Sequence, residues 1–386
     1  MNFGLFPFRM PRTVLAGVGA AERVGDEAKR LGGARALVIT DQGVLKSGWV
    51  DRTMERLQQA GLKTTLFSEV MAEPNMDFLN DTAARVREGG HDVVVGIGGG
   101  SSLDSGKMIA SLLANDGKVQ DYFGIDLIPK RSLPMVMLPT TAGTGSEVTP
   151  NAIFTDTVAK LKKGVVSPFL LPDVAIVDPQ LTVSCPPPIT AATGMDALTH
   201  AIESYTSAKA TPLTDIYATE AIRRISRSLR TAVFRGSDLA ARTEMALGSM
   251  MAGVSLANAG VGAVHALAYP VGGKFGVPHG VSNSQLMPYV MEYNVLGNIH
   301  KFAEVARLMG EPVEGLAVSE AARVVVAATR RLGEDIGIPM RMSHFKVTAD
   351  AIPEMSQQAF NNRRLMDNNP RALTLDEVRA IYEAAL

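Results

Sequence analysis

The chain has 386 residues, 46% apolar and 20% charged, enough to build sizeable cores and too apolar for wholesale disorder; at roughly 100–200 residues per domain, two packed units are expected. Thirty-eight basic residues against 39 acidic ones leave a formal net charge of −1, which gives no broad positive field for phosphate backbones or anionic lipid, so neither nucleic acid nor a membrane is expected as a partner. The single cysteine, Cys185, cannot close an internal disulfide, and no basic start leads into a cleavable apolar segment, so a cytoplasmic protein is expected.

Short β-branched runs alternate with helical stretches through the first half, at residues 36–41, 63–70, 92–100, 135–141 and 175–178. Runs apolar without interruption, such as Val93, Val94 and Val95, predict strands buried on both faces, as in a parallel sheet covered by helices. After Pro186–Pro188 the strand-like runs largely stop and the chain reads as successive helices. Ala218, Ile222, Ile225, Leu229 and Val233 recur at three- and four-residue steps with arginines between them, which predicts one apolar stripe facing a core. Met245 to Gly273 holds no Asp, Glu, Lys or Arg and is long enough to span a bilayer. Its glycines, Asn258 and Pro270 interrupt it and its tone is Ala-rich, so it reads as a packed interior. The last helix opens at Thr374 with Glu377 three residues on, a capping box.

Two segments of the first half carry ligand chemistry. Gly98, Gly99, Gly100 and Ser101 stand between a strand and a helical stretch, where absent Cβ atoms let backbone amides approach a diphosphate and the helix turns its positive end toward it. The G-x-G-x-x-G spacing is not met, because Ser101 stands where the last glycine belongs, whereas Gly17-Val18-Gly19 lies outside any strand-to-helix turn and reads as a simple turn. The second segment, from Pro139 to Thr149, is rich in hydroxyls and glycines that suit a cofactor's phosphate, ribose or carboxamide equally with capping its own backbone.

In the second half, three of the six histidines, His200, His265 and His279, fall in one apolar region. Asp196 and His200 are four apart and share a helix face otherwise made of small and apolar residues. Burying two such polar tips without partners would cost several kcal/mol, so a shared counter-ion or a divalent metal is the economical explanation. With His265 and His279 the donors become one oxygen and three nitrogens, suited to Fe(II) or Zn(II) with positions left for a substrate oxygen. Any one of these histidines alone is more often a hydrogen-bonded core residue; four such donors together are not.

Taken together, GIGGGSSLDSGK, PTTAGTGSEVT, ATGMDALTHAIE, HALAYPVGG and VPHGVSN closely resemble the iron-containing (group III) alcohol dehydrogenase family, over almost the whole chain. The resemblance implies an α/β N-terminal nucleotide-binding domain, placed at residues 1–183, and an all-helical C-terminal metal-binding domain at 184–386, an architecture like that of dehydroquinate synthases. It implies a metal held by Asp196, His200, His265 and His279. It implies pyrophosphate on Gly98, Gly99, Gly100 and Ser101, with Asn75, Thr140, Thr141, Thr149, Asn151 and Lys162 at the cofactor's other groups, Lys163 competing with Lys162 for its place. Asp41 matches a position whose carboxylate accepts from the adenosine ribose and would repel a 2′-phosphate, so NAD is favoured over NADP. Where many members carry a further histidine four residues after the third ligand, this chain has Tyr269, a poorer titrating base near neutrality; it reads as a relay or as a pocket-lining ring.

The activity expected is reversible hydride transfer between a small primary alcohol and the nicotinamide. A non-redox lyase or cyclase of the dehydroquinate synthase type is the alternative, and an inert metal-stabilised fold a third reading. Arg363 or Arg364 would pair with the acid group if the substrate were an ω-hydroxy acid; a solvated surface pair is the competing account. Members of the family often self-associate, so a homo-oligomer is expected.

Overall fold

A computed structural model describes residues 4–159 and 161–386. The chain divides into two compact units, one of Arg9–Cys185 and one of Pro186–Leu386 joined by residues 4–8.

In chain order the first unit holds β1 (Thr13–Ala16), α1 (Val24–Arg30), β2 (Arg35–Ile39), α2 (Gln42–Leu45), α3 (Trp49–Gln59), β3 (Lys63–Phe67), α4 (Met76–Val86), β4 (Val93–Gly98), α5 (Gly100–Ala114), β5 (Gly124–Ile125), β6 (Met135–Pro139), β7 (Asn151–Asp156), β8 (Leu161–Val166) and β9 (Val174–Val177). Six of the strands form a sheet in the order β1-β9-β6-β4-β2-β3, with every neighbour parallel. The period of two decides which layer each side chain joins. Ala36, Val38, Val93, Val95, Val136 and Leu138 meet α1 and α3 on one face; Leu37, Ile39, Val94, Met135 and Met137 meet α4 and α5 on the other. Val93, Val94 and Val95 are all fully buried, as two covered faces require. Two features went unanticipated. An edge strand, β1, pairs with β9, and an antiparallel hairpin, β7–β8, forms a small second sheet with β5.

The second unit is helical: α6 (Pro187–Thr206), α7 (Pro212–Phe234), α8 (Leu239–Ala259), α9 (Ala263–Phe275), α10 (His279–Asn294), α11 (Ile299–Leu308), α12 (Val318–Asp335), α13 (Ile352–Asn361), α14 (Arg363–Met366) and α15 (Leu375–Ala385). The stripe from Ala218 to Val233 lies along α7 and is buried throughout. The charge-free run from Met245 to Gly273 is broken by a 104° bend between α8 and α9, and no single helix among the described residues is long and apolar enough to cross a membrane. Thr374 and Glu377 form the expected capping box on α15.

Candidate metal and cofactor sites

The parallel sheet has its topological switch point between β2 and β4. The chain leaves β2 for β3 through α3 on one face and leaves β4 for β6 through α5 on the other. The loops at the carboxyl ends of these two strands therefore part from each other, the position at which open α/β sheets take ligands. One loop carries Asp41 and the other Gly98 to Ser101. Gly98 has φ 154°, and a Cβ there would stand 2.5 Å from the Cβ of Ser102 and 3.3 Å from Asp41 Oδ2, so the turn closes only over glycine. Helix α5 starts from Gly99 with no side-chain cap, which leaves its first amides and positive end free for an anion.

Asp41 is already fixed. Its Oδ1 accepts from the amides of Gly43 and Val44 at 2.9 and 3.0 Å, capping α2, and its Oδ2 accepts from Ser102 Oγ at 2.8 Å. Further lone pairs remain for a ribose hydroxyl. Thr140 N donates to Gly98 O at 2.9 Å, Thr141 lies against Gly99, and Ser101 Oγ donates to Ala72 O. Asn75 caps α4 through Phe78 N at 2.9 Å and bridges to Thr155, whose strand partner is Lys162. The Lys162 ammonium pairs with Glu73 at 2.7 Å, whereas Lys163 pairs with Asp156 and lies over the ring of Phe123. Strand alternation thus parts the two lysines, and Lys162 is the one on the Asn75 side.

Thr149 and Asn151 enter through their carbonyls. Both accept from Lys107 Nζ, as does Ser146 O at 3.0 Å, and Lys107 is fully buried on α5 with Asp104 Oδ1 3.0 Å away. Asp104 in turn accepts from Ser146 Oγ at 2.5 Å and Ile153 N at 3.0 Å. Burial lowers the Lys107 pKa, Asp104 and Glu147 opposing it; burial also pushes the nearby Glu147 up to about 7 against its own backbone amide and Lys107. This cluster is not among the residues expected from the sequence. Its signal is Asp104 and Lys107, one turn apart with opposite charge in a helix of small and apolar residues.

In the helical unit, Asp196, His200 and Glu203 rise at steps of four and three along one face of α6. His265 stands in the first turn of α9 and His279 opens α10. The start of α10 lies against α6 so closely that a Cβ on Gly280 would be 2.0 Å from Ala192 O, which places His279 beside Asp196. Asp196 Oδ1 is 3.6 Å from His265 Nε2, 3.7 Å from His279 Nε2 and 3.8 Å from His200 Nε2. Donors of Asp196, His265 and His279 all lie within 4.8 Å of one another, and the ring of His200 stacks on His265 with centroids 4.7 Å apart.

These separations approach the edge of about 3.4 Å that tetrahedral bonds of about 2.1 Å produce, and one carboxylate with three imidazoles suits Fe(II) or Zn(II). Asn283, one turn after His279, is a further polar group at this point. Its Nδ2 is 2.7 Å from Asp196 Oδ1 and 3.2 and 3.3 Å from Nε2 of His265 and His279, while its Oδ1 is buried with no partner. The amide nitrogen thus stands where the lone pairs of Asp196, His265 and His279 converge. Burial opposes the charge on Asp196, but the imidazoles of His200, His279 and His265 outweigh it and hold the carboxyl well below its ordinary range. Burial likewise opposes charge on His265, and its bonds to Asp196 and Glu203 overcome this, raising it to about 10. Asn283 and Glu203 were not singled out from sequence. Asn283 belongs to Ser282–Gln285, four consecutive polar residues of α10 with no exposed surface.

Tyr269, one turn after His265, has its ring 5.8 Å from that of His279, the one member of the cluster with substantial side-chain exposure, at 33%. Arg363 pairs with Asp367, lies over Phe360 and is largely exposed, and Arg364 is also exposed. Their segment acts instead through its asparagines. Asn368 Nδ2 donates to Val261 O at 2.9 Å and Asn369 Oδ1 accepts from Ala263 N at 3.3 Å, tying down the loop ahead of His265.

Residues 11–179 match the family described as iron-containing alcohol dehydrogenase, and residues 190–386 match the C-terminal part of the Fe-containing alcohol dehydrogenase family. The chain is 44% identical to long-chain-alcohol dehydrogenase 1 of Geobacillus thermodenitrificans, covering 96% of this chain and 94% of that protein. It superposes on a crystal structure of 1,3-propanediol oxidoreductase with a TM-score of 0.97 at 41% identity, covering 99% and 100% of the two chains. It superposes on the sulfoacetaldehyde reductase of Bifidobacterium kashiwanohense in complex with NAD+ with a TM-score of 0.88 at 30% identity, covering 99% of each.

Proposed function

The chain belongs to the iron-containing alcohol dehydrogenase family, and from that premise we propose that it interconverts a small primary alcohol and its aldehyde, with NAD as the hydride carrier and Fe(II) or Zn(II) held by Asp196, His200, His265 and His279. The observation that carries this is that Asp196 Oδ1 has the Nε2 atoms of His265, His279 and His200 at 3.6, 3.7 and 3.8 Å, with the donors of Asp196, His265 and His279 all within 4.8 Å of one another. A divalent ion bound there supplies a Lewis acid, easing loss of the alcohol proton in one direction and polarising the aldehyde carbonyl in the other.

The protein's own groups do the holding. Asp196 provides the negative charge, and the three rings provide lone pairs without bringing more. Tyr269 lies beside His279, and its hydroxyl can both donate and accept a hydrogen bond. At the switch point, Gly98, Gly99, Gly100 and Ser101 offer amides to the pyrophosphate, with Thr140 and Thr141 beside them and Asn75, Thr149, Asn151 and Lys162 at the cofactor's other end. Asp41, negative and fixed by α2 and Ser102, accepts from ribose hydroxyls and disfavours NADP.

The named relatives range from long-chain alcohols through a diol to a sulfonated aldehyde. With Arg363 committed to Asp367 and Arg364 exposed, we favour an uncharged short alcohol over an ω-hydroxy acid. The test is turnover of neutral alcohols and their equal-length carboxylated analogues by metal-stripped protein reloaded with Fe(II) or Zn(II). Turnover should return with metal, prefer NAD, fall to background in His265→Ala, and keep its neutral-to-anionic ratio in Arg363→Ala and Arg364→Ala. Full activity in His265→Ala would refute the metal assignment.

A further inference from the structure

Helix α9 begins without a side-chain cap of its own, because Gly262 occupies the N-cap. Its first amides are satisfied from a distance. Ala263 N donates to Asn369 Oδ1, and Val264 N donates to Glu203 Oε1 at 2.7 Å. The other oxygen of the same carboxylate, Glu203 Oε2, lies 2.5 Å from His265 Nδ1. Glu203 is 3% exposed and follows His200 by one turn of α6, so one buried carboxylate ties the helix that carries two proposed ligands to the helix that carries a third.

An imidazole that ligates a metal has given up one of its two protons, so in the metal-loaded site His265 has a single proton to place. With a carboxylate against Nδ1 the proton belongs on Nδ1, and Nε2 keeps its lone pair. That Nε2 is the atom 3.6 Å from Asp196 Oδ1. We propose that Glu203 is a positioning residue for the metal centre, holding His265 in the tautomer and ring orientation that present Nε2 to the ion; this rests on the metal reading above. The carboxylate also adds a second buried negative charge beside Asp196, so that a divalent cation leaves the site near neutrality. Partners of this kind behind a ligating histidine typically change metal affinity 10- to 100-fold.

Glu203→Gln separates the two jobs of the side chain. The carboxamide oxygen can still accept from Val264 N and keep the start of α9, but its NH2 then faces Nδ1. Two donors cannot meet, so the ring must turn Nδ1 into an acceptor and move its proton to Nε2, closing the lone pair the metal needs. The expected result is a variant that melts near the parent's temperature, binds NAD unchanged, and binds Zn(II) or Fe(II) 10- to 100-fold more weakly in competition with a chelator. Metal affinity within threefold of the parent overturns the proposal. His265→Ala runs beside it: loss of metal there with none in Glu203→Gln sinks only the role of Glu203, whereas no loss in either sinks the metal reading itself. Nitrogen NMR of the zinc-loaded parent, labelled at histidine, decides the matter without any variant. A protonated Nδ1 on His265 supports the proposal, and a bare Nδ1 overturns it even if the glutamine variant fails to fold.

Discussion

Glu147 shows how one buried carboxyl writes itself into the pH profile. Its folded-state pKa is raised from 4.5 to about 7 by burial, which outweighs its backbone hydrogen bond and the charge of Lys107. Between those two values the folded protein holds a proton that the unfolded chain has released, so the stability this group contributes is present in acid and is lost as pH rises through about 7. The upper limit is about 3 kcal/mol. Glu147→Gln carries no such dependence. The variant should therefore gain on the parent steadily from about pH 5 to about pH 8. Trp49, the single tryptophan, lies on α3 and reports unfolding of this unit by its fluorescence. Parallel stability profiles for parent and variant would show that Glu147 is not held neutral.

At the scale of elements, Lys107 joins α5 to the segment that follows β6. One ammonium serves the carbonyls of Ser146, Thr149 and Asn151 while balancing Asp104. Lys107→Met has comparable length and no charge, and it leaves three carbonyls unpaired and the Asp104 carboxylate uncompensated. Removing one partner of a buried pair costs about 3–5 kcal/mol, so urea unfolding followed at Trp49 should shift by that much, and NAD binding should weaken as the 140–151 segment loosens. A shift below about 1 kcal/mol would mean that water replaces the ammonium. The same region marks where the sequence was legible. The central strands announced themselves because burial on both faces makes them apolar without interruption, and the glycine turn because α5 begins directly on it. The hairpin β7–β8 did not. Lys162, Lys163 and Asp156 break the apolar pattern, and its pairing depends on contacts with the distant Asn75 segment and on ion pairs that periodicity does not encode. In the helical unit, Asp196 and His200 were readable as an i, i+4 pair. Glu203 and Asn283 were not, since each acts on a residue of another helix or at a point defined only when three helices meet.

Over the whole molecule, the change at Pro186 from strand-like runs to continuous helices was plain in the sequence, whereas the place of residues 4–8 was not. Phe8 stacks on Tyr217 of α7 with centroids 5.8 Å apart, a contact spanning 209 positions that no local pattern carries. Two units with separate cores and separate ligand chemistry make a prediction about where each ligand is felt. A ligand that binds only the folded state stabilises it by about 2.7 kcal/mol at a hundredfold excess over its dissociation constant, and the effect is largest where its partners sit. The proposed metal donors come from the middle of α6 and the first turns of α9 and α10, so a divalent ion cross-links three helix segments far apart in sequence. Hydrogen exchange followed by mass spectrometry should therefore show Zn(II) slowing peptides around residues 194–204 and 262–284 most strongly. NAD should instead slow the turns after β2 and β4, around Asp41 and Gly98 to Ser102, because the uncapped amides at the start of α5 are exchangeable groups that an anion would occupy. The pattern is demanding because both ligands raise overall stability and would protect every slow amide to some extent; only the ordering of peptides discriminates. Zinc acting most strongly on the glycine turn, with 262–284 unchanged, would place the metal elsewhere and remove the basis for assigning these four ligands.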